Sequence, residues 1–229
     1  MSDGQLAQPI ARSPIAPAPP VTVLAGWEVS GRRASAITEA AGAADGPGLT
    51  ITDYTPMAKV QLRAPVSGQA ATAVGVRFGR AARDPAGTLV VGSGPGEWLL
   101  LAAPGQAPEL LSRLASIAAQ APGEHATWVD LTHGRALIRL TGSSAVKVLA
   151  RICGVDLSDE ITPDGAAFRT SVASVATDII RDDLNGTLSY LLHCERSSGD
   201  YLFSSLLRAG ADYGIEIDGF RLPPAHAPL

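Results

Sequence analysis

Between residues 128 and 157 the spacing of apolar positions changes once, from alternate residues to the three-and-four spacing of a helix. Ala136, Ile138 and Leu140 alternate with Arg135, Leu137 and Arg139, which predicts a strand with one face on a core and the other toward solvent or a partner. Ser143 or Ser144 then offers a side-chain oxygen to the open amide groups of a helix. In that helix Ala145, Val148, Leu149 and Ile152 form a buried stripe, and Gly154 supplies a left-handed stop.

The same reading extends in both directions. Upstream, Thr88 to Val91, a glycine-rich turn at Gly92 to Gly96 and Trp98 to Ala102 predict a hairpin. A helix over 108–120 follows, with Leu110, Leu111, Leu114, Ile117 and Ala118 on one side. Downstream, the pattern predicts one strand from Thr170 to Arg181, a tight turn at Asn185 and Gly186, a strand from Leu188 to Cys194, a helix from Gly199 to Tyr213 and a last strand from Ile215 to Phe220. Both residues of Asn-Gly tolerate positive φ, so the turn signal is strong. The order in this half is βαββαβ, and the fold class is α+β: two such lobes, each a sheet with helices on one face. The expected division is a flexible proline- and alanine-rich tail over 1–22, a first lobe over 23–122, a second over 123–222 and a flexible end over 223–229, where Pro223, Pro224 and Pro228 fall.

Composition narrows the function classes. The chain has 229 residues, 46% of them hydrophobic and 17% charged, the balance of a globular protein with a sizeable core. A net charge of -4 argues against nucleic acid or an anionic membrane as partner, since both are bound by neutralising phosphates. The apolar run from Trp98 to Ala103 is far shorter than the ~20 residues of a membrane-spanning helix. No secretory signal pattern opens the chain, so a cytoplasmic protein is expected, with Cys153 and Cys194 as buried thiols. His125, His133, His193 and His226 are scattered without metal-ligand spacing, so no metal site is expected. Gly92 to Gly96 is followed by a strand instead of a helix N-terminus, which removes the phosphate-cradle reading. Trp98 and Trp128 read as core residues, whereas Trp27 and the outward Leu137 are candidate interface residues.

In wording as well as in pattern, the 128–157 block resembles the folate-binding lobe of the glycine-cleavage T-protein superfamily. It is similar in particular to the gamma subunit family of heterotetrameric sarcosine oxidases. The runs from Met57 to Arg63, Gly96 to Leu101, Phe168 to Val175 and Glu195 to Leu202 fall in the matching order, over roughly residues 50 to 220. The resemblance implies the aminomethyltransferase folate-binding fold without its C-terminal barrel domain. It also implies a non-catalytic subunit, with no cofactor of its own, in a complex that demethylates sarcosine to glycine. A large alpha subunit would bind NAD and tetrahydrofolate, a beta subunit FAD and FMN, and a small delta subunit zinc; hydrogen peroxide and 5,10-methylenetetrahydrofolate would form in those partners.

The alternative is a stand-alone folate-binding aminomethyltransferase-like protein. Arg181-Asp182-Asp183-Leu184 resembles the Ile-Asp-Asp-Leu segment whose aspartate handles folate in the transferases, which makes Asp182 and Asp183 its candidate site. Ala176-Thr177-Asp178 stands where those enzymes have a glycine pair, and aspartates beside an Asn-Gly turn commonly bond local amides. Asp130 and His133 resemble an Asp-x-Ser-His segment of the superfamily and are read as pinning the turn before the signature strand.

Overall fold

The computed structural model of the chain describes residues 13–15, 21–24, 27–30, 34–35 and 48–218. The strands are β1 (Val21–Leu24), β2 (Trp27–Ser30), β3 (Ala34–Ser35), β4 (Leu49–Asp53), β5 (Ala58–Arg63), β6 (Ala81–Arg83), β7 (Leu89–Gly94), β8 (Glu97–Ala102), β9 (Thr127–Asp130), β10 (Arg135–Thr141), β11 (Ala167–Val172), β12 (Val175–Arg181), β13 (Ser189–Glu195) and β14 (Ile215–Asp218). The helices are α1 (Gln69–Val74), α2 (Ala107–Ala119), α3 (Ala145–Leu149) and α4 (Gly199–Gly210).

β1 and β2 pair with each other. The rest form a seven-stranded sheet in the order β11-β12-β13-β10-β4-β14-β3 and a five-stranded sheet in the order β6-β7-β8-β5-β9. The sheets exchange strands: β4, from the first half of the chain, lies in the larger sheet, and β9, from the second half, lies in the smaller.

Alternation along the strands builds four layers, helix on sheet on sheet on helix. On β8, Trp98 and Leu100 pack against Leu110 and Leu114 of α2, while Leu99 and Leu101 point the other way. On β10, Ile138 and Leu140 pack with Leu149 of α3 and Leu202 and Phe203 of α4. Leu137, on the opposite face, meets Leu99, Leu101, Ile180 and Leu191 between the sheets. The outer edges are also joined, because Ala81 N–H donates to Gly165 O at 2.7 Å and Ala167 N–H to Gly79 O at 3.1 Å.

Several sequence expectations change. Leu137 is fully buried, with 0% exposure, and is not an outward interface residue. Arg139 is buried with it, since the second face of β10 meets the other sheet and not solvent. The single strand over 170–181 is two strands, β11 and β12, turning at Ala173 and Ser174 with φ of 48° and 68°. α3 has five residues and ends at Leu149, Ser144 at its start makes no side-chain cap, and Gly154 is not left-handed. Within the expected flexible tail, Ile15 is 2% exposed inside the α3–α4 core, and Pro14 lies over Gly199. Trp27 lies in β2, and its side chain is outside the described residues.

Candidate functional site

The Asn185-Gly186 turn forms as expected, with φ of 51° and 79°, and the aspartate pair sits just before it. The two carboxylates go separate ways. Asp182 Oδ2 accepts from Arg139 Nη2 at 2.5 Å and from Arg83 Nη2 at 2.8 Å, and its Oδ1 accepts from Arg83 Nη2 at 3.1 Å. Arg139 comes from β10 and Arg83 from β6 of the other sheet, so Asp182 clamps the two sheets together. Arg139 also donates to Ser189 Oγ at 2.7 Å and to the Asp182 carbonyl at 3.1 Å, and its guanidinium lies 4.8 Å from the Tyr54 ring centroid.

Asp183 faces its own hairpin. Its carboxylate accepts from Arg181 Nε at 3.2 Å and Nη2 at 3.0 Å and from Ser189 N–H at 3.1 Å. Arg181 in turn reaches Asp159 at 2.5 Å and the Thr162 carbonyl at 2.7 Å, and the hydrogen bond to Asp183 is the main cause that raises its pKa. The oxygens of both aspartates thus accept from arginines, of which Arg139 and Arg181 are buried and Arg83 is about half exposed, a strong charge-assisted arrangement.

A second polar cluster, on the face between the sheets, was not anticipated from the sequence. Asp178 and His193 oppose each other across β12 and β13, with Oδ2 and Nδ1 3.0 Å apart, and Arg169 Nε donates to Asp178 Oδ1 at 2.6 Å. Burial opposes ionisation of Asp178, yet hydrogen bonds from His193 and Arg169 outweigh it and lower its pKa. An ionised Asp178 can only accept, which puts the His193 proton on Nδ1 and leaves Nε2 facing inward with no partner among the described residues. Burial is also the main cause that lowers the His193 pKa, against the pull of Asp178.

Nearby, Lys59 is 0% exposed and donates to the carbonyls of Thr55 at 2.5 Å and Met57 at 2.9 Å, fixing the turn between β4 and β5. Burial brings its pKa down to about 7. Asp53, close by, is raised by burial and partly restrained by hydrogen bonds with Ser13 and Thr55. The sequence signal for these residues was their place on the face of β5, β12 and β13 that the expected lobes left uncovered.

The remaining motifs take structural roles. Asp130 Oδ1 accepts the Thr132 N–H at 2.8 Å, pinning the turn before β10, and Gly92 to Gly96 closes the β7–β8 hairpin. Trp98 is buried and donates from Nε1 to the Val76 carbonyl at 2.6 Å, and Trp128 packs at the edge of the same core. Cys153 and Cys194 are free buried thiols, Cys194 pushed up to about 11 by burial. Among the described residues, no group of three or more His, Cys, Asp or Glu side chains could hold a metal, and no helix is long and apolar enough to cross a membrane.

The family described as the GCVT N-terminal domain matches residues 87–221. Sarcosine oxidase subunit gamma from Corynebacterium sp. (strain U-96) is 36% identical over 108 residues, 46% of this chain and 50% of that protein. The aligned part thus spans half the length of that relative. Among solved structures, the heterotetrameric sarcosine oxidase from Corynebacterium sp. U-96 in complex with pyrrole 2-carboxylate superposes with a TM-score of 0.65 and 26% identity, over 79% of this chain and 92% of the matched chain. The glycine cleavage system aminomethyltransferase T from Bartonella henselae superposes with a TM-score of 0.63 and 17% identity, over 86% of this chain and 55% of that one, a likeness of fold.

Proposed function

The chain belongs to the GCVT N-terminal domain family, and from that premise we propose that it is the gamma subunit of a heterotetrameric sarcosine oxidase-like complex. Its role there is structural: partner chains carry the oxidative demethylation of sarcosine to glycine. Those partners are a large alpha subunit with NAD and tetrahydrofolate, a beta subunit with FAD and FMN, and a small delta subunit with zinc.

The observation that carries this reading is the superposition on one chain of a heterotetrameric sarcosine oxidase over 92% of that chain's length. The geometry of the aspartate pair supports it. A folate-handling transferase needs a carboxylate free to meet its ligand, whereas Asp182 and Asp183 are each held by arginines.

Co-expression with the proposed partner chains, followed by size-exclusion chromatography and a sarcosine-dependent peroxide assay, tests the proposal. This chain is expected to elute with the flavin-bearing chain in an active complex. A chain that remains separate from those partners and itself transfers one-carbon units to tetrahydrofolate would establish the aminomethyltransferase reading instead.

A further inference from the structure

Between α1 and β6 the chain runs Gly75-Val-Arg-Phe-Gly-Arg80, and this loop is held from several sides. The Trp98 indole donates to the Val76 carbonyl at 2.6 Å, Gly79 N–H to Gly92 O at 2.9 Å, Gly92 N–H to Arg80 O at 2.8 Å and Arg80 N–H to Arg77 O at 3.2 Å. A Cβ on Gly92 would collide with the Arg77 carbonyl, so the β7–β8 hairpin is bare where the loop crosses it. Gly75 and Gly79 bracket the loop with φ of 66° and 80°.

A loop fixed in this way nevertheless presents Phe78 at 60% exposure. Val66, at 67% exposure, lies against the other end of the same hairpin, at Gly96. Two arginines flank the phenylalanine. Arg63, Arg113, Arg135, Arg151 and Arg169 each hold a carboxylate, whereas Arg77 and Arg80 have no ion pair among the described residues, in a chain of net charge -4. Aromatic and arginine side chains dominate many binding energies, and a loop whose backbone is already fixed has less ordering left to undergo on binding.

We infer that the Arg77-Phe78-Gly79-Arg80 loop and its glycine hairpin form a docking surface for a partner subunit that offers an apolar socket for Phe78 rimmed by carboxylates for the two arginines. The unpaired cations select an acidic partner, and the fixed backbone sets the phenylalanine in place before contact. This surface rests on the subunit reading proposed above, and it names where on the chain that assembly is made.

The test compares wild type, Phe78→Asp, Arg77→Glu/Arg80→Glu and a control, Lys147→Glu/Arg208→Glu, which makes the same charge change on α3 and α4. Each is co-expressed with the partner chains, and recovery of the complex and thermal unfolding of the isolated chain are measured. Both loop variants are expected to lower recovery at least tenfold while shifting the isolated chain's midpoint by no more than about 3 °C, and the control to assemble as wild type does. Recovery of the loop variants at the wild-type level overturns the docking surface and leaves the subunit reading standing. So does an equal loss in the control, which would reflect charge alone, or wild-type self-association that Phe78→Asp abolishes without affecting the partners, which would make a second copy the occupant. A wild-type chain that fails to join the partners overturns the subunit reading and this surface with it.

Discussion

Lys59, at 0% exposure, and Asp182, with its side chain 11% exposed, both hold charge largely away from water, and they differ in what offsets that cost. Asp182 has two guanidiniums, so removing its carboxylate leaves Arg139, whose side chain is 6% exposed, as an uncompensated buried charge. Asp182→Ala should therefore cost ~3–5 kcal/mol in urea denaturation. Turnover tells a different story: Asp182→Asn/Asp183→Asn should keep the activity of each assembled complex within about threefold, a barrier change under ~0.7 kcal/mol. A hundredfold loss in intact complexes would place the pair in the chemistry. Lys59 has two carbonyls and the field of Asp53, and burial still lowers its pKa from 10.5 to about 7. Between those values the unfolded chain holds a proton that the folded chain has released, so stability rises with pH there. Cys194, raised from 9.0 to about 11, acts in the opposite direction above pH 9, so the lysine is followed between pH 7 and 9. Urea midpoints should climb over that range by up to ~1.4 kcal/mol per pH unit. In Lys59→Met the slope should vanish; an unchanged slope would mean that the lysine stays charged.

Element by element, β10 shows best how packing decides what periodicity leaves open. Its alternation correctly puts Ile138 and Leu140 toward the helices, but alternation gives the period of a strand and not the number of its faces that are covered. Leu137 consequently lies between the sheets, where Leu137→Ala should cost ~2–5 kcal/mol, and Leu137→Asp should prevent folding before assembly is ever tested. A soluble, folded Leu137→Asp chain by circular dichroism would contradict this placement. The hairpin at Asn185-Gly186 was legible because both residues accept positive φ without strain. The one at Ala173-Ser174 was not, because it places two residues with Cβ atoms in the left-handed region, at ~1–2 kcal/mol each; tertiary pairing of β11 with β12 holds it. The candidate site divides in the same way. The aspartate pair stands out beside its turn, but Arg139 and Arg83 lie 43 and 99 residues away in sequence, and nothing local announces that they converge on it.

For the whole molecule, the decisive fact is that neither sheet is a closed unit. β4 leaves the first half of the chain to pair with β10 and β14, and β9 returns from the second half to pair with β5. Leu99 and Leu101 of one sheet share a core with Leu137, Ile180 and Leu191 of the other, and Arg83 reaches across to Asp182. Separating the sheets would expose that shared core, at ~1.5–3 kcal/mol for each large side chain, and would strand the Arg139–Asp182 pair without its second arginine. No partly unfolded state retains one sheet intact at low cost, so the chain should unfold in a single cooperative step. Trp98 and Trp128 both pack in the five-stranded sheet's core and, in a Trp27→Phe background, report on it by fluorescence, while far-ultraviolet circular dichroism reports on both sheets. The two probes should give coincident denaturation midpoints. Leu137→Ala, although it lies on a strand of the other sheet, should lower both midpoints together. If the fluorescence midpoint stayed fixed while the dichroism midpoint fell, the two sheets would be independent units and the shared layer between them would be contributing little.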